Sequence, residues 1–164
     1  MDDTPIDDTL IDDTLIDDLD PLALENQVCF ALAVAARTVI SVYRPLLEPM
    51  NLTHPQYLVM LALWGEAPLS VTELSRRLEL DPGTLSPLLK RLEAAGYLTR
   101  ERDRADERSL AVRLTPAGVA LRAQAEQIPP AIVERLDMDL AELKDLHGAL
   151  TEVITAARRA QGRA

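Results

Sequence analysis

The sequence is poor in the residue types that build disulfides, metal sites and aromatic cores. A single cysteine, Cys29, cannot form a disulfide within one chain. The two histidines, His54 and His147, lie far apart, and no group of Cys and His has the spacing of a metal site. Aromatic residues make up only 3% of the chain, so the core must be built mostly from Leu, Ala, Val and Ile. We therefore expect no disulfide within the chain, no metal and no cofactor.

Membrane and export signals are also lacking. The chain contains no run of about 18 consecutive apolar residues, which a transmembrane helix would require. Its first residues are acidic rather than basic and do not lead into an apolar segment, unlike a signal peptide. We expect a cytoplasmic protein with no membrane partner.

Acidic residues dominate the charge, but they are concentrated at one end. The chain has 164 residues and a formal net charge of −10. Residues 1–20 hold nine aspartates and no base, and seven of the nine lie in the repeats IDDTL, IDDTL and IDDLD. The other 144 residues carry 17 bases and 18 acids, a net charge of −1. We predict a disordered, solvated acidic arm over residues 1–20, followed by a folded part that is nearly neutral.

Hydrophobic periodicity and capping residues predict the first two helices. Apolar residues at helical spacing indicate one long helix over residues 21–49, with Pro21 at its start. Because this helix has two apolar stripes, we expect it to pack against more than one body, a dimer partner being one candidate. Thr53 is the expected N-cap of a second helix in THPQYLVMLALWGE.

The middle of the chain alternates short helices with two β-like runs. The pair Ser70 and Glu73 forms a capping box that begins a third helix. A fourth helix is expected to be capped near Asp81 or Thr84 and to stop at Gly96; a start at Thr84 is favoured, because Pro87 then falls in the first turn. The runs YLTRERD and RSLAVRLT follow, joined by RADE. The tail is expected to form two further helices that are separated at Pro129–Pro130.

This order of elements predicts a mainly α chain with a small β-hairpin. We expect a winged helix-turn-helix over residues 50–116, between dimerisation helices at 21–49 and 117–164. In such a fold the second helix of the motif enters a major groove, and the hairpin reaches the adjacent minor groove or phosphates. The leucines of that helix face the core in this prediction. The candidate DNA contacts are Thr84, Ser86, Lys90, Arg91, Arg102, Arg104, Asp106 and Arg108.

The charges of the hairpin have a second interpretation. By composition alone, Arg102, Arg104 and Arg108 among acidic neighbours favour a salt-bridged surface loop. Directly after a helix-turn-helix pattern, the same loop favours contact with DNA. Fifteen of the 17 bases are Arg, whose planar fork binds phosphates and base edges bidentately. A dimer with two such surfaces would bind double-stranded, pseudo-palindromic operator DNA.

Two long stretches resemble a known family. LDPGTLSPLLKRLEAAGYLTRERDRADERSLAVRLTPAG resembles the DNA-binding core of the MarR family of transcriptional regulators, whose wing pattern is Asp-x-Arg, apolar residues and Leu-Thr. LENQVCFALAVAARTVISVYRPLLEPMNLTHPQYLVMLALW resembles the OhrR subgroup, the repressors that sense organic hydroperoxides. Together the resemblances cover about residues 22–155. They imply a homodimeric repressor and not an enzyme.

The resemblance also implies a redox role for Cys29. In the subgroup, a cysteine thiolate reacts with the peroxide, and two tyrosines of the partner subunit hydrogen-bond the sulfur. Tyr43 matches one of them, whereas His54 and Ala33 stand where the family has a tyrosine and often another aromatic residue. Tyr43 cannot serve Cys29 of its own chain, because 14 residues of helix span roughly 21 Å. The pocket is therefore expected between subunits.

Details of this pocket remain open at the level of sequence. Cys29 is expected about two turns into the predicted helix, where the helix dipole contributes little. His54 could donate a hydrogen bond, act as an imidazolium, or be only a polar residue at a helix start. Because there is no second cysteine, the sulfenic acid is expected to react with a small thiol or to be oxidised further.

Three other functions compete with this one. The first is a MarR-type repressor that is induced by a reversibly bound small molecule, such as a phenolic compound, with Cys29 incidental. The second is a thiol peroxidase, which would need a resolving cysteine that the sequence lacks. The third is a DNA-compacting or activating protein. For the arm, competition with DNA for the basic surface is the less favoured alternative to a solvated tail.

Overall fold

The computed structural model describes residues 20, 22–102 and 110–162. The predicted acidic arm therefore lies outside the described residues, apart from Asp20, and so does the tip of the hairpin at residues 103–109. The chain divides into two compact units, Met1–Ser41 and Val42–Ala164. The domain boundaries expected at residues 49–50 and 116–117 stay predictions.

The first unit contains a 3-10 turn, Leu24–Asn26, and the beginning of helix α1, Val28–Leu47. The predicted start near Pro21 is wrong by about seven residues. Gln27 has an extended backbone (φ −84°, ψ 113°), which separates the 3-10 turn from the α-helix. Cys29 is consequently the second residue of α1, and the expectation that it lies two turns into a helix is corrected.

The N-terminal part of α1 is exposed over its whole circumference. Six large apolar residues have between 36% and 67% of their surface exposed: Val28, Phe30, Leu32, Val34, Val39 and Ile40. By length and composition alone, Val28–Met50 could cross a membrane, with a mean hydropathy of 1.4. This is weak evidence for a membrane span, because an apolar helix that packs on another chain passes the same test. Arg37 and Arg44 lie within the segment, and a cation is costly inside a bilayer.

The second unit begins with a helical layer. A 3-10 turn, Glu48–Met50, leads from α1 into α2, His54–Gly65, which is followed by α3, Val71–Leu78, and α4, Pro82–Ala94. Thr53 is the N-cap of α2, as predicted. The Ser70–Glu73 capping box is also confirmed, since the Glu73 N–H donates to Ser70 Oγ and the Ser70 N–H donates to Glu73 Oε2.

Helix α4 begins two residues earlier than predicted. Asp81 is its N-cap and accepts the Thr84 N–H at 2.9 Å, and Pro82 occupies the first helical position. The expected start at Thr84 is therefore wrong, and Pro87 is the sixth residue of the helix rather than a first-turn residue. The cap at Asp81 and the proline at N1 together favour the earlier start.

Three antiparallel strands form a small sheet in the order β1–β3–β2. The predicted hairpin is formed by β2, Leu98–Arg102, and β3, Leu110–Leu114, with Arg102 opposite Leu110 in the last described pair. The third strand, β1 (Leu69–Ser70), was not predicted. Its two residues pair with Val112 and Ala111 and are too few to show a period of two.

The core of this unit lies where α2, α3 and α4 pack on the sheet. It consists almost entirely of aliphatic side chains, as the scarcity of aromatic residues predicts. Those exposed by less than 2% are Leu47, Val59, Met60, Leu63, Leu74, Leu85, Leu89, Leu92, Leu98 and Val112. Tyr57 is the one aromatic residue among the buried ones in the described chain.

The tail forms three helices rather than the two predicted. They are α5, Pro116–Ala125, α6, Ile128–Leu136, and α7, Leu140–Gln161. The additional break follows Asp137, which has a left-handed backbone (φ 51°), and α7 then restarts at a capping box between Asp139 and Glu142. None of the residues of α7 is buried. The chain is thus mainly α with a small sheet, as expected.

Candidate nucleic-acid interface and redox site

Helix α4 presents one apolar and one polar face. Its leucines Leu85, Leu88, Leu89 and Leu92 are buried, as predicted. The four candidate DNA contacts on this helix are all exposed: Thr84, Ser86, Lys90 and Arg91. The exposure pattern is the one that a recognition helix needs, and the DNA contacts themselves stay a prediction.

The polar groups of Thr84 hydrogen-bond to the N-cap residue of α4. Its hydroxyl donates to Asp81 Oδ2 at 2.6 Å, while its N–H donates to Asp81 Oδ1. These two bonds hold the pKa of the Asp81 carboxyl below its ordinary value, so the cap is ionised at neutral pH. Ser86, Lys90 and Arg91 are therefore better placed than Thr84 to offer donors to a ligand.

Three bases of this surface are without an ion pair, as are six other bases of the described chain. Within the described ranges, Lys90, Arg91 and Arg102 form no ion pair. Five other arginines each pair with a glutamate: Arg77 with Glu66, Arg100 with Glu93, Arg113 with Glu101, Arg122 with Glu126 and Arg158 with Glu79. Lys90, Arg91 and Arg102 are also exposed, so among the described residues they are candidates for contact with an anion. Arg104, Asp106 and Arg108 lie outside the described residues.

The backbone conformation of the turn between α4 and β2 is restricted. Gly96 has φ +79° and follows the helix, and the N–H groups of Gly96 and Tyr97 donate to the carbonyls of Glu93 and Leu92. This pattern is a Schellman motif, which requires the left-handed backbone that glycine adopts without strain. It confirms that α4 stops at Gly96 and directs the chain into β2.

The hairpin is also tied to the elements around it. The Tyr97 hydroxyl donates to the Met50 carbonyl at 3.0 Å, and the Thr115 hydroxyl donates to the Gly96 carbonyl at 2.6 Å. A Cβ at Gly118 would lie 2.0 Å from the Tyr97 carbonyl oxygen, so only glycine permits this close approach. Sequence reasoning did not single out any of these contacts.

Sequence reasoning also missed the ion pair between Glu93 and Arg100. Glu93 Oε2 accepts from Arg100 Nη2 at 2.6 Å and from Nε at 3.0 Å. The bonds from Arg100 hold the pKa of Glu93 below its ordinary value. The available signal was weak, since it consists only of opposite charges that bracket the turn at Gly96.

Tyr43 and His54, the predicted pocket residues, lie together in the second unit. Their ring centroids are 5.0 Å apart in an edge-to-face arrangement. Tyr57 continues the series at 6.2 Å from Tyr43, and Trp64 lies 6.4 Å from Tyr57. Burial lowers the pKa of His54 from 6.5, so its imidazole is neutral at pH 7.

Cys29 lies in the first unit and is exposed. As the second residue of α1 it belongs to the first helical turn, where the backbone N–H groups and the helix dipole favour an anion. Ala33, one turn further along, is also exposed. A thiol in this position is accessible to a small oxidant.

A groove of about 280 Å³ lies between α2, α5 and α6. Tyr57, Leu61 and Trp64 line one side, and Arg122, Glu126 and Pro129 line the other. The Trp64 indole N–H donates to the Gly118 carbonyl at 2.8 Å and fixes the ring in place. Across the described residues, no group of three His, Cys, Asp or Glu side chains is placed to hold a metal ion.

Known proteins resemble this chain in sequence. The MarR family model matches residues 52–110. The chain is 43% identical over 131 residues to the organic hydroperoxide resistance transcriptional regulator of Bacillus subtilis, over 80% of this chain and 89% of that protein. It is 47% identical over 127 residues to the transcriptional regulator TtmR of Methylorubrum extorquens, over 77% of this chain and 65% of that protein.

The fold matches as well. The structure of reduced AbfR bound to DNA has a TM-score of 0.73 and 33% identity, over 84% of this chain and 94% of that one. AbfR, a Staphylococcus epidermidis protein, also matches in an overoxidised form bound to DNA, with a TM-score of 0.67. The relatives are transcriptional regulators, which confirms the winged-helix fold and the expectation of a regulator rather than an enzyme. This chain belongs to the MarR family of transcriptional regulators.

Proposed function

We propose that this chain is a homodimeric repressor that leaves its operator DNA when an organic hydroperoxide oxidises Cys29. The chain is a DNA-binding transcriptional repressor of the MarR family, and such a protein acts in the cytoplasm, where its DNA is. The redox part rests on one observation: Cys29 is exposed in the first turn of α1, in a chain 43% identical to an organic hydroperoxide resistance regulator.

The homodimer is supported by two helices with uncovered apolar side chains. In α1 the exposed set runs from Val28 to Ile40. In α7 five large apolar residues are exposed: Leu140, Leu146, Leu150, Val153 and Ile154. Apolar surfaces of this extent are usually covered by another protein. A second copy of the chain would cover them and would place two α4 helices for a pseudo-palindromic duplex, with half-site centres about one helical turn apart.

The DNA contacts would come from the unpaired cations. Ser86, Lys90 and Arg91 on α4 would face the major groove, where an Arg or Lys reads guanine O6 and N7. Arg102 would extend this surface along β2 toward the hairpin tip. Arg104, Asp106 and Arg108, together with Thr84, complete the proposed contact set.

The oxidation step balances without a cofactor. The Cys29 thiolate attacks the distal peroxide oxygen, an S–O bond forms, and the O–O bond breaks. The alkoxide leaves and takes a proton, so the peroxide is reduced to an alcohol while sulfur is oxidised by two electrons. Because the chain has no second cysteine, a small thiol would then form a mixed disulfide with Cys29 and release water.

Release from DNA would follow from a change at the subunit interface. In the proposed dimer, Tyr43 and His54 of the partner subunit hydrogen-bond the sulfur of Cys29. Oxidation adds bulk and changes these bonds, which would alter the angle between the two DNA-binding regions. Binding to two half-sites depends on their separation, so a coupling free energy of about 1–3 kcal/mol is enough to lower the affinity for operator DNA 5- to 150-fold.

The alternative of a reversibly bound small ligand is supported by one observation, the groove beside Tyr57, Trp64 and Arg122. Aromatic side chains in the lining suit a flat aromatic ligand such as a phenolic compound. The volume, about 280 Å³, is just below the range of roughly 300–1,000 Å³ that is typical of ligand pockets. The two mechanisms differ in whether they need Cys29.

The test is DNA binding by the purified full chain, with and without cumene hydroperoxide. Cys29→Ser should bind the upstream DNA of its own gene as the wild type does and remain bound after the peroxide. Tyr43→Phe should bind DNA and respond more slowly, because one proposed donor is lost while the sulfur remains. If Cys29→Ser is released by peroxide like the wild type, the redox mechanism is wrong. A protein that binds no sequence from that DNA preferentially would contradict the repressor function itself.

A further inference from the structure

The strongest side-chain link between the hairpin and α4 is the pair Glu93 and Arg100. Besides its two bonds to the guanidinium, Glu93 accepts the backbone N–H of Arg100 at 3.2 Å through Oε1. Both carboxylate oxygens are thus engaged by one residue of β2. The side chains of Arg100 and Glu93 are 26% and 36% exposed. Those of Arg113 and Glu101, the other ion pair of the described sheet, are 48% and 62% exposed.

The pair joins two surfaces that carry candidate DNA contacts. Ser86, Lys90 and Glu93 are spaced by four and three residues, so they follow one stripe along α4. Arg100 and Arg102 are two residues apart on β2 and therefore share one face of the sheet. Glu93 ends the helical stripe where Arg100 begins the strand face.

Glu93 is not explained by the stability of α4 itself. It lies in the last turn of the helix, where the dipole disfavours a negative charge. Its carboxylate also stands near a surface that is proposed to bind phosphates, and it would repel them. Contact with Arg100 offsets both unfavourable effects. The pair therefore acts on the position of the hairpin relative to α4 rather than on the stability of the helix.

We propose that Glu93 and Arg100 form a positioning pair that determines operator specificity. This inference rests on the proposed DNA-binding function. The pair holds the hairpin at one angle to α4, so that contacts from the helix and the hairpin reach their bases together. It also occupies the Arg100 guanidinium, which would otherwise bind any phosphate without regard to sequence.

The two effects have opposite consequences for specific and non-specific DNA. A hairpin free to pivot loses base contacts that need a defined register, and only specific binding suffers. A freed guanidinium adds one phosphate contact to every duplex, which strengthens non-specific binding and makes it more dependent on salt. If the pair served stability alone, breaking it would change neither the ratio of specific to non-specific affinity nor the salt dependence of binding.

The experiment compares the affinity of the full chain for two duplexes. One is selected by the wild type from a random library, and the other has the same composition in scrambled order. Glu93→Gln should lower the ratio of affinities about tenfold, a loss like that of one base contact. Its non-specific salt slope should become steeper by about 0.9.

Glu101→Gln is the matched control. It removes the same charge, but from β2 rather than from α4, and breaks a pair with Arg113, at 3.8 Å, that lies within the sheet. Its ratio of affinities should stay within about twofold of the wild type, because this ion pair joins β2 to β3 and does not link the hairpin to α4. An equal fall in both variants would mean that charge alone is responsible and would overturn the inference.

Two further variants separate the effects and guard against misfolding. Arg100→Lys keeps the charge but loses the two-pronged contact, and it should lower the ratio without changing the salt slope. Glu93→Gln combined with Arg100→Gln should restore the wild-type salt slope and keep the low ratio. If Glu93→Gln and Arg100→Lys keep the wild-type ratio, the inference is wrong. If the wild type selects no sequence, the proposed function has failed instead.

Discussion

Helices α4 and α7 both carry a stripe of leucines, but only α4 covers its stripe with residues of its own chain. In α4, Leu85, Leu89 and Leu92 are at most 1% exposed. In α7, Leu146 and Leu150 are 48% and 36% exposed. A helix whose apolar face stays exposed gains little from packing and depends on another surface. The helix proposed to contact DNA thus buries its apolar face within one chain, whereas the helix proposed for dimerisation does not.

A charge on the apolar stripe of α7 should have the largest effect. Leu150→Glu should weaken dimerisation about 100-fold or more, because an unpaired carboxylate would have to be buried in the interface. Analytical ultracentrifugation over a range of concentrations measures this shift. DNA affinity should fall with the loss of dimer, since two half-sites are bound jointly.

Thr151→Glu is the control for that variant. It places the same charge one residue along α7, about 100° around the helix from Leu150, where the Thr151 hydroxyl donates to the His147 carbonyl. Dimerisation should be nearly unchanged. If both variants stay dimeric, α7 does not lie in the interface, and the contrast with α4 needs another explanation.

Removing a buried leucine of α4 tests the other side of the comparison. Leu89→Ala should lower the free energy of unfolding by about 2–5 kcal/mol, because it leaves a cavity in a fully packed core. Urea denaturation measures the change, which should not depend on protein concentration. Leu140→Ala on α7, where the side chain is 60% exposed, should cost less than about 0.5 kcal/mol under conditions that keep the chain monomeric. Equal losses would contradict the comparison.

The smallest expected effect is the pH dependence contributed by His54. Burial lowers its pKa in the folded state below 6.5, so the unfolded chain binds a proton more readily. The associated stability is fully present above pH 6.5 and is lost as the pH falls through the folded-state value. Melting temperatures of wild type and His54→Gln between pH 8 and pH 5 measure it. Parallel curves for the two proteins would show that His54 is not the cause.

Local signals in the sequence were sufficient for most of the helical framework. The N-cap at Thr53, the capping box at Ser70 and the stop at Gly96 were all predicted, because each is a property of a few adjacent residues. The predicted starts of α1 and α4 were wrong. In both cases a nearby proline suggested a boundary, while the backbone of Gln27 and the cap at Asp81 decided it.

The sequence by itself determined the fold class, the family and the identity of the candidate residues Cys29, Tyr43 and His54. The fold class follows from periodicity and capping residues, whereas the family and these candidate residues follow from the resemblance of sequence motifs to a known family. Only the tertiary structure decided which residues from different parts of the chain contact one another. The pair Glu93–Arg100, the ring contact of Tyr43 with His54 and the strand pairing of Leu69 with Val112 join residues that are separated along the chain. Such contacts depend on how packed elements cross, and no local pattern encodes that geometry.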